Sequence, residues 1–267
     1  WDAISPDLST NDKTKQQSSG GPITQDNTSV EYYATIFTVA ESPLRRDMIW
    51  VGTDDGLVHV TMDGGGSWTE VTPDGMGDWP LISMAEASSH DPDTAYLAVN
   101  RYKMNDFSPF IYRTRDAGET WELIVDGIAP DAFVRTVRED PVVPGLLYAG
   151  AETGVYVSLD DGESWRSLQN NLPIVPITDL AVKDDDVVVS TQGRSFWILR
   201  DVSPLRGMAR GEMTDDLHLF EPRATWRQGW DSVRLHYRLP EGFDEGLRLE
   251  ILDDAGGVVR AFPEEGL

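Results

Sequence analysis

One eight-residue phrase occurs three times in this chain, and it limits what the chain can fold into. Thr61-Met62-Asp63-Gly64-Gly65-Gly66-Ser67-Trp68, Thr114-Arg115-Asp116-Ala117-Gly118-Glu119-Thr120-Trp121 and Ser158-Leu159-Asp160-Asp161-Gly162-Glu163-Ser164-Trp165 all read [Ser/Thr]-x-Asp-x-Gly-x-[Ser/Thr]-Trp. A short Asp side chain accepts hydrogen bonds from the backbone N–H groups just after it. The Gly supplies the positive φ that closes a tight turn, and the Trp opens the returning strand. The phrase therefore predicts a repeated hairpin. Asp63, Gly65, Trp68, Asp116, Gly118, Trp121, Asp160, Gly162 and Trp165 are expected to serve the scaffold.

Around each phrase the chain reads as a four-stranded antiparallel meander. Thr35–Ala40, Met48–Gly52, Leu57–Met62 and Trp68–Thr72 are short β-rich runs separated by turn residues. The same order returns at Leu81–Ala87, Ala95–Asn100, Phe110–Thr114 and Trp121–Val125, then at Val134–Arg138, Leu146–Gly150, Val155–Leu159 and Trp165–Leu168. A fourth copy, Ile177–Val182, Val187–Thr191 and Phe196–Arg200, lacks the Asp turn and a clear fourth strand. Trp68, Trp121 and Trp165 lie 53 and 44 residues apart, close to the ~40–50 residues of a propeller blade. The expected fold is all-β: a partial β-propeller of about four four-stranded blades, each Trp filling the wedge between neighbours.

The flanks extend that frame. Trp1-Asp2-Ala3-Ile4 aligns with the residues that follow each repeated Trp, so residues 1–31 are expected as the end of a preceding blade plus a long polar loop. Blades occupy 32–200, a Pro- and Gly-containing linker 201–216, and an incomplete β-sandwich-like segment 217–267 with a hairpin turn at Asp254-Ala255-Gly256-Gly257. Both ends read as those of a fragment, with the remaining blades of the parent chain as its first partners.

Composition removes several functions. Asp and Glu number 46 against 22 Lys and Arg in 267 residues, a net charge of −24, and no local basic patch offsets it, so no nucleic-acid partner is expected. Without Cys there is no disulfide, thiolate metal site or Cys nucleophile. No apolar run approaches the ~20 residues of a membrane helix, so no membrane insertion is expected. His59, His90, His218 and His236 lack metal-ligand spacing, and Asp184-Asp185-Asp186 reads as a solvated hairpin tip. No metal and no cofactor is expected.

These residues resemble the Asp-box, or bacterial neuraminidase repeat, propellers, and more fully the large bacterial proteins called sortilin-like or glycosyl-hydrolase-like. The likeness rests on Trp50-Val-Gly-Thr-Asp-Asp-Gly-Leu-Val-His59, Val137-Arg-Glu-Asp-Pro141, Leu147-Tyr-Ala-Gly150, Gly154-Val-Tyr-Val157 and Gly193-Arg-Ser-Phe-Trp-Ile198, with Ile4-Ser-Pro-Asp-Leu8 and Glu31-Tyr-Tyr33. It covers roughly residues 1–206. Gln192 stands where that family usually carries His, and Arg200 where it carries Asp. The resemblance implies an extracytoplasmic protein, periplasmic or secreted, with tandem propellers. It implies no single reaction, since related propellers include sialidases, xyloglucan hydrolases, sorting receptors and photosystem assembly factors.

Strand parity says where chemistry sits. The Asp turns join strands 3 and 4 and share one face; the 2–3 turns and the blade connections share the other, where binding is expected. On it, Asn100–Pro109 is read as a long excursion carrying Arg101, Tyr102, Lys103, Asp106 and Phe107, with Arg194 on another 2–3 turn. Glycoside hydrolysis needs two carboxylates, roughly 5–5.5 Å apart for retention or 6.5–9.5 Å for inversion. Glu31, Glu41, Glu86, Asp106, Glu139 and Asp179 supply the residue type, with Asp106, Glu31 and Glu139 the catalytic candidates. A sialidase would need an arginine cluster, for which Arg101, Arg135, Arg138 and Arg194 supply only the residue type. Two functions stay open: a scaffold module holding a protein, peptide or glycan, and a xyloglucanase- or sialidase-like glycoside hydrolase of tandem-propeller type.

Overall fold

The computed structural model describes residues 1–18, 33–212, 216–223, 233–244 and 246–262. The chain divides into two units, Trp1–Glu212 and Met213–Leu267. The first is a partial β-propeller. Blade 1 holds β1 (Ile36–Glu41), β2 (Ile49–Thr53), β3 (Val58–Thr61) and β4 (Thr69–Glu70). Blade 2 holds β5 (Leu81–Ala87), β6 (Ala95–Arg101), β7 (Asp106–Thr114) and β8 (Glu122–Leu123). Blade 3 holds β9 (Val134–Glu139), β10 (Leu147–Ala151), β11 (Gly154–Ser158) and β12 (Arg166–Ser167), and blade 4 has three strands, β13 (Ile177–Lys183), β14 (Asp186–Thr191) and β15 (Phe196–Arg200). Every sheet is an antiparallel meander in sequence order.

All three Asp turns are built alike. The Asp accepts from the backbone N–H four residues on, Ser67, Thr120 or Ser164, at 2.8, 2.8 and 2.9 Å, and from the hydroxyl of the same residue. The leading hydroxyl donates to the Asp and accepts from the N–H of Gly65, Gly118 or Gly162. Each Ser or Thr hydroxyl that recurs in the phrase is thus a hydrogen-bond partner. The turn also ties to the 1–2 turn of its own blade, through Gly64 N–H to Asp47, Ala117 N–H to Asp93 and Asp161 N–H to Gly145, all at 2.8 Å.

The same phrase joins blade to blade. The Trp68, Trp121 and Trp165 indoles donate to the carbonyls of Ile4, Val71 and Ile124 at 2.9, 2.7 and 2.9 Å. Each acceptor lies three residues beyond the preceding Trp, counting Trp1. Gly65, Gly118 and Gly162, at φ +99, +92 and +88°, press on the same three residues: a Cβ would meet the Ile4 carbonyl at 2.2 Å, Val71 Cβ at 2.7 Å and Ile124 Cδ1 at 2.4 Å. Glycine is needed here twice over, for φ and for space. Ile4 thus serves Trp68 as Val71 and Ile124 serve the later indoles, and Leu8 is buried, while residues 1–8 form no ladder strand. Three apolar clusters fill the wedges, centred on Trp50 between blades 1 and 2, Trp165 between blades 2 and 3, and Tyr148 between blades 3 and 4.

Two expectations change. The Asn100–Pro109 excursion is mostly strand: Arg101 pairs with Asp106, leaving a single 3-10 turn, Tyr102–Met104, closed by Asn105 at φ 59°. Pro109, which has no N–H to donate, falls where the ladder shifts register between Val99 and Arg101. The 201–216 stretch is not plain linker, since Ser203–Ala209 is a helix, α1, with Pro in its first turn. Buried Arg206 on α1 bonds Asp140 at 3.0 Å, Asp185 at 2.7 Å and the Asp184 carbonyl at 2.7 Å. The Asp184–Asp186 hairpin tip, with the Asp184 side chain 70% exposed, also anchors the helix to blades 3 and 4 through Arg206.

The second unit shows two short ladders among its described residues, His218–Leu219 with Tyr237–Arg238 and Leu249–Leu252 with Val258–Phe262. Asp253 accepts from Ala255 and Gly257 N–H to close the second.

Trp165→Ala removes a side chain 3% exposed and is expected to cost about 3–5 kcal/mol in urea unfolding. Arg206→Ala leaves buried Asp140 unpaired and should cost about 3–5 kcal/mol in the same experiment. The Ser67 backbone N–H, with the Thr61 and Ser67 hydroxyls, holds the Asp63 carboxyl down to about 2 from its ordinary 3.8. Because the folded value is the lower one, this stabilisation is complete above pH 3.8 and disappears as pH falls toward about 2. Carboxyl NMR titration should place Asp63 near 2, and Asp116 and Asp160 also below 3.8; a midpoint at 3.8 or above would mean that the turn is not formed in solution.

Candidate functional site

The inner strands of all four blades carry a ladder irregularity at their first residues, at Ile36/Thr38, Ile82/Met84, Val134/Thr136 and Ile177/Asp179. A bulge re-aims the extra residue, here Phe37, Ser83, Arg135 and Thr178. These positions sit at the strand ends beside the 2–3 turns, opposite the Asp turns. Phe37 is exposed and Arg135 half-buried.

Around Arg135 the structure assembles an aromatic cluster. Tyr102 stacks on Phe133 with centroids 5.0 Å apart and planes at 18°, and Phe107 packs on the same ring at 6.1 Å. The Arg135 guanidinium lies 4.8 Å from the Phe133 centroid and 5.7 Å from that of Tyr102, while its Nη2 meets Glu152 at 2.5 Å. A cation between two ring faces and a carboxylate is held in orientation. A second cluster comes from the blade connections: Tyr33 packs on Trp79 at 5.0 Å, and Lys15 Nζ stands 4.3 Å from the Trp79 centroid. Arg101 links the two, donating to the Asp78 carbonyl at 3.1 Å and to Asp106 at 2.8 Å. Trp79 takes φ 57°, a strained value for a bulky residue that the surrounding contacts must hold.

The sequence candidates separate. Arg101, Tyr102, Asp106 and Phe107 come together; Lys103 and Arg194 are exposed on the same face. The Ser108 N–H, with Arg101 adding its charge, holds the Asp106 carboxyl below its ordinary range. Glu139 is elsewhere. It is buried at the Asp-turn end of β9, accepting from Ser88 Oγ at 2.6 Å, Ser89 N–H at 3.1 Å and Gly145 N–H at 3.3 Å. Its surroundings are those of a structural acceptor. Glu31 lies outside the described residues. Gln192 and Arg200 are both exposed. Sequence reading missed Phe133, Arg135's stacking, and Trp79, whose signal was an aromatic immediately before Pro80 in a blade connection.

Along the inner strands runs an open groove of about 560 Å³ lined in part by Phe37, Val39, Glu41, Glu86 and Arg138. Burial raises the Glu86 carboxyl, against the opposing charge of Arg138 at 2.6 Å. Arg138 also reaches Asp179 at 3.3 Å. Among the described residues no group of three or more His, Asp or Glu is placed to hold a metal ion, and no helix is long and apolar enough to cross a membrane.

No protein-family model matches the chain. An oligoxyloglucan-reducing end-specific xyloglucanase from Emericella nidulans is 27% identical over 107 residues, 40% of this chain and 13% of that enzyme. Among solved structures, YCF48 bound to D1 peptide is similar at TM-score 0.48 and 17% identity, covering 62% of this chain and 52% of that one. A GH74 xyloglucanase from Xanthomonas campestris gives TM-score 0.49 at 15% identity, covering 64% and 31%. The chain thus spans about half or less of these proteins.

Phe133→Ala, at a position 2% exposed, should cost about 3–5 kcal/mol and release the Tyr102 ring. Tyr102→Ala, half-buried, should cost much less in the same urea titration.

Proposed function

We propose that this chain is a binding and scaffold module of the Asp-box, sortilin-like kind, holding a peptide, protein or glycan on the face of 2–3 turns and blade connections. One observation carries the reading. The carboxylates of the 2–3 turns are already engaged: Asp106 by Arg101, Glu152 by Arg135, Asp55 by the Thr10 N–H and hydroxyl, and Asp54 by the Thr35 N–H. Acid–base hydrolysis needs a protonated carboxyl facing a second carboxylate across a sugar, and an Asp held ionised by a guanidinium is a poor acid. What the face leaves open includes Phe37, Phe107 and Trp79, 55%, 44% and 42% exposed, with Lys15 over the Trp79 ring. Flat apolar rings with adjacent charge suit a sugar ring or a peptide. Export to an extracytoplasmic compartment and continuation of the ring by other blades of the parent protein belong to the same proposal.

A glycoside hydrolase of tandem-propeller type is the second reading, favoured by the 107-residue match to a xyloglucanase. Its carboxylates would be Glu86, whose proton affinity is raised by burial, and Asp179, on either side of Arg138.

Glycan and peptide arrays, run with a xyloglucan and sialoside hydrolysis assay on the full parent protein, separate the two. The expected result is binding without cleavage, weakened by Phe107→Ala and retained by Asp106→Asn. Cleavage that Glu86→Gln abolishes while binding survives would overturn the scaffold reading.

A further inference from the structure

Between blades 3 and 4 lies an apolar cavity that departs from the rule of the other wedges. In blades 1, 2 and 3 an indole enters the wedge against the preceding blade and donates to the carbonyl of Ile4, Val71 or Ile124. The next carbonyl in that series belongs to Leu168, three residues after Trp165. Blade 4 has no fourth strand among the described residues to bring a Trp to it. The cavity is lined by Val155, Leu168 and Leu172 from blade 3 and by Val187, Val189 and Trp197 from blade 4. Trp197 does not substitute for the missing indole. It stands on β15 opposite Val189, where blade 3 has Tyr156 opposite Ala149, and its N–H bonds the Arg194 carbonyl at 2.9 Å. Beside the cavity no strand pairs with the outer edge of β15 among the described residues, and Phe196 and Ile198 are 75% and 50% exposed.

We propose that this edge and cavity form a capture site for an extended segment carrying the phrase Trp-x-x-aliphatic, which adds to blade 4 as its fourth strand. The register follows from blade 3, where Arg166 faces Val157, Ser167 faces Tyr156 and the Leu168 N–H bonds the Val155 carbonyl at 2.8 Å. Transposed to blade 4, the residue after the incoming Trp faces Ile198 and the next faces Trp197. The aliphatic residue then donates its N–H to the Phe196 carbonyl, and the indole N–H reaches the Leu168 carbonyl. Ladder bonds along an exposed edge supply affinity for any extended chain, and the indole pocket selects among them. The partner chemistry is set by three occupied copies of the same slot within the molecule. The site is separate from the 2–3-turn face, so either proposal can fail alone.

The probe is a fluorescein-labelled peptide, Trp-Arg-Ser-Leu-Gln-Asn-Asn-Leu, with the sequence of residues 165–172, titrated into the whole chain by fluorescence anisotropy. Saturable binding is expected, weakened about tenfold or more when the peptide's Trp is replaced by Ala, with slowed hydrogen exchange at Ile198. Val189→Trp, which fills the cavity from within, should abolish binding while far-UV circular dichroism is unchanged. If that variant does not fold, the Ala peptide on the unaltered protein still decides. Equal binding of the two peptides, no saturation at millimolar peptide, or self-association of the chain that shuts the peptide out would each overturn the proposal.

Discussion

The indole-to-carbonyl bond between successive blades is the contact on which the propeller unit depends. A four-stranded sheet of this size cannot bury both faces by itself, so each blade is stable only against its neighbours. The Trp supplies a large apolar surface to the wedge, and its N–H is satisfied by the Ile4, Val71 or Ile124 carbonyl; for Trp165 that N–H would otherwise be a buried unsatisfied donor. The glycine of the Asp turn closes against the same residue. One short phrase therefore fixes three things together: the hairpin, the angle of its blade to the preceding one, and the satisfaction of its largest side chain.

That division of labour leaves the opposite face free to vary. The Asp turns are nearly identical from blade to blade, whereas the 2–3 turns differ: a tight Asp54-Asp55-Gly56, a hairpin tip at Tyr102–Met104, a tight Glu152-Thr153-Gly154 and an exposed Gln192-Gly193-Arg194. The inner-strand bulges recur at one level and turn different side chains, Phe37, Ser83, Arg135 and Thr178, toward the same rim. A repeated backbone device with unrepeated side chains is how a repeat scaffold presents a specific surface.

Ion pairs are placed at the joints. Arg113, nearly fully buried, gathers Glu122, Asp161 and Glu163 at 2.6, 3.0 and 3.2 Å. Arg206 gathers Asp140 and Asp185. Each guanidinium satisfies several carboxylates, which suits a chain with more than twice as many acidic as basic side chains. Such pairs are weak evidence for net stability, but they fix geometry because breaking one strands a buried charge.

The blades, their order and the side on which the Asp turns lie were legible in the sequence, because alternation, turn residues and the spacing of Trp are local signals that repeat. Tertiary structure alone decided the rest. Asp106 is an acid by residue type, but its pairing with Arg101 depends on a register shift that turns an apparent loop into strand. Glu139 looked like an inner-strand carboxylate, and only packing against Ser88 and Ser89, some fifty residues away, makes it a buried acceptor. Phe133 and Arg135 carry no motif, yet they form the centre of the aromatic cluster because blades 2 and 3 meet there. Repeats encode backbone through near-neighbour hydrogen bonds, whereas a site is made by side chains that converge from separate blades, and that convergence is set by packing across the wedge.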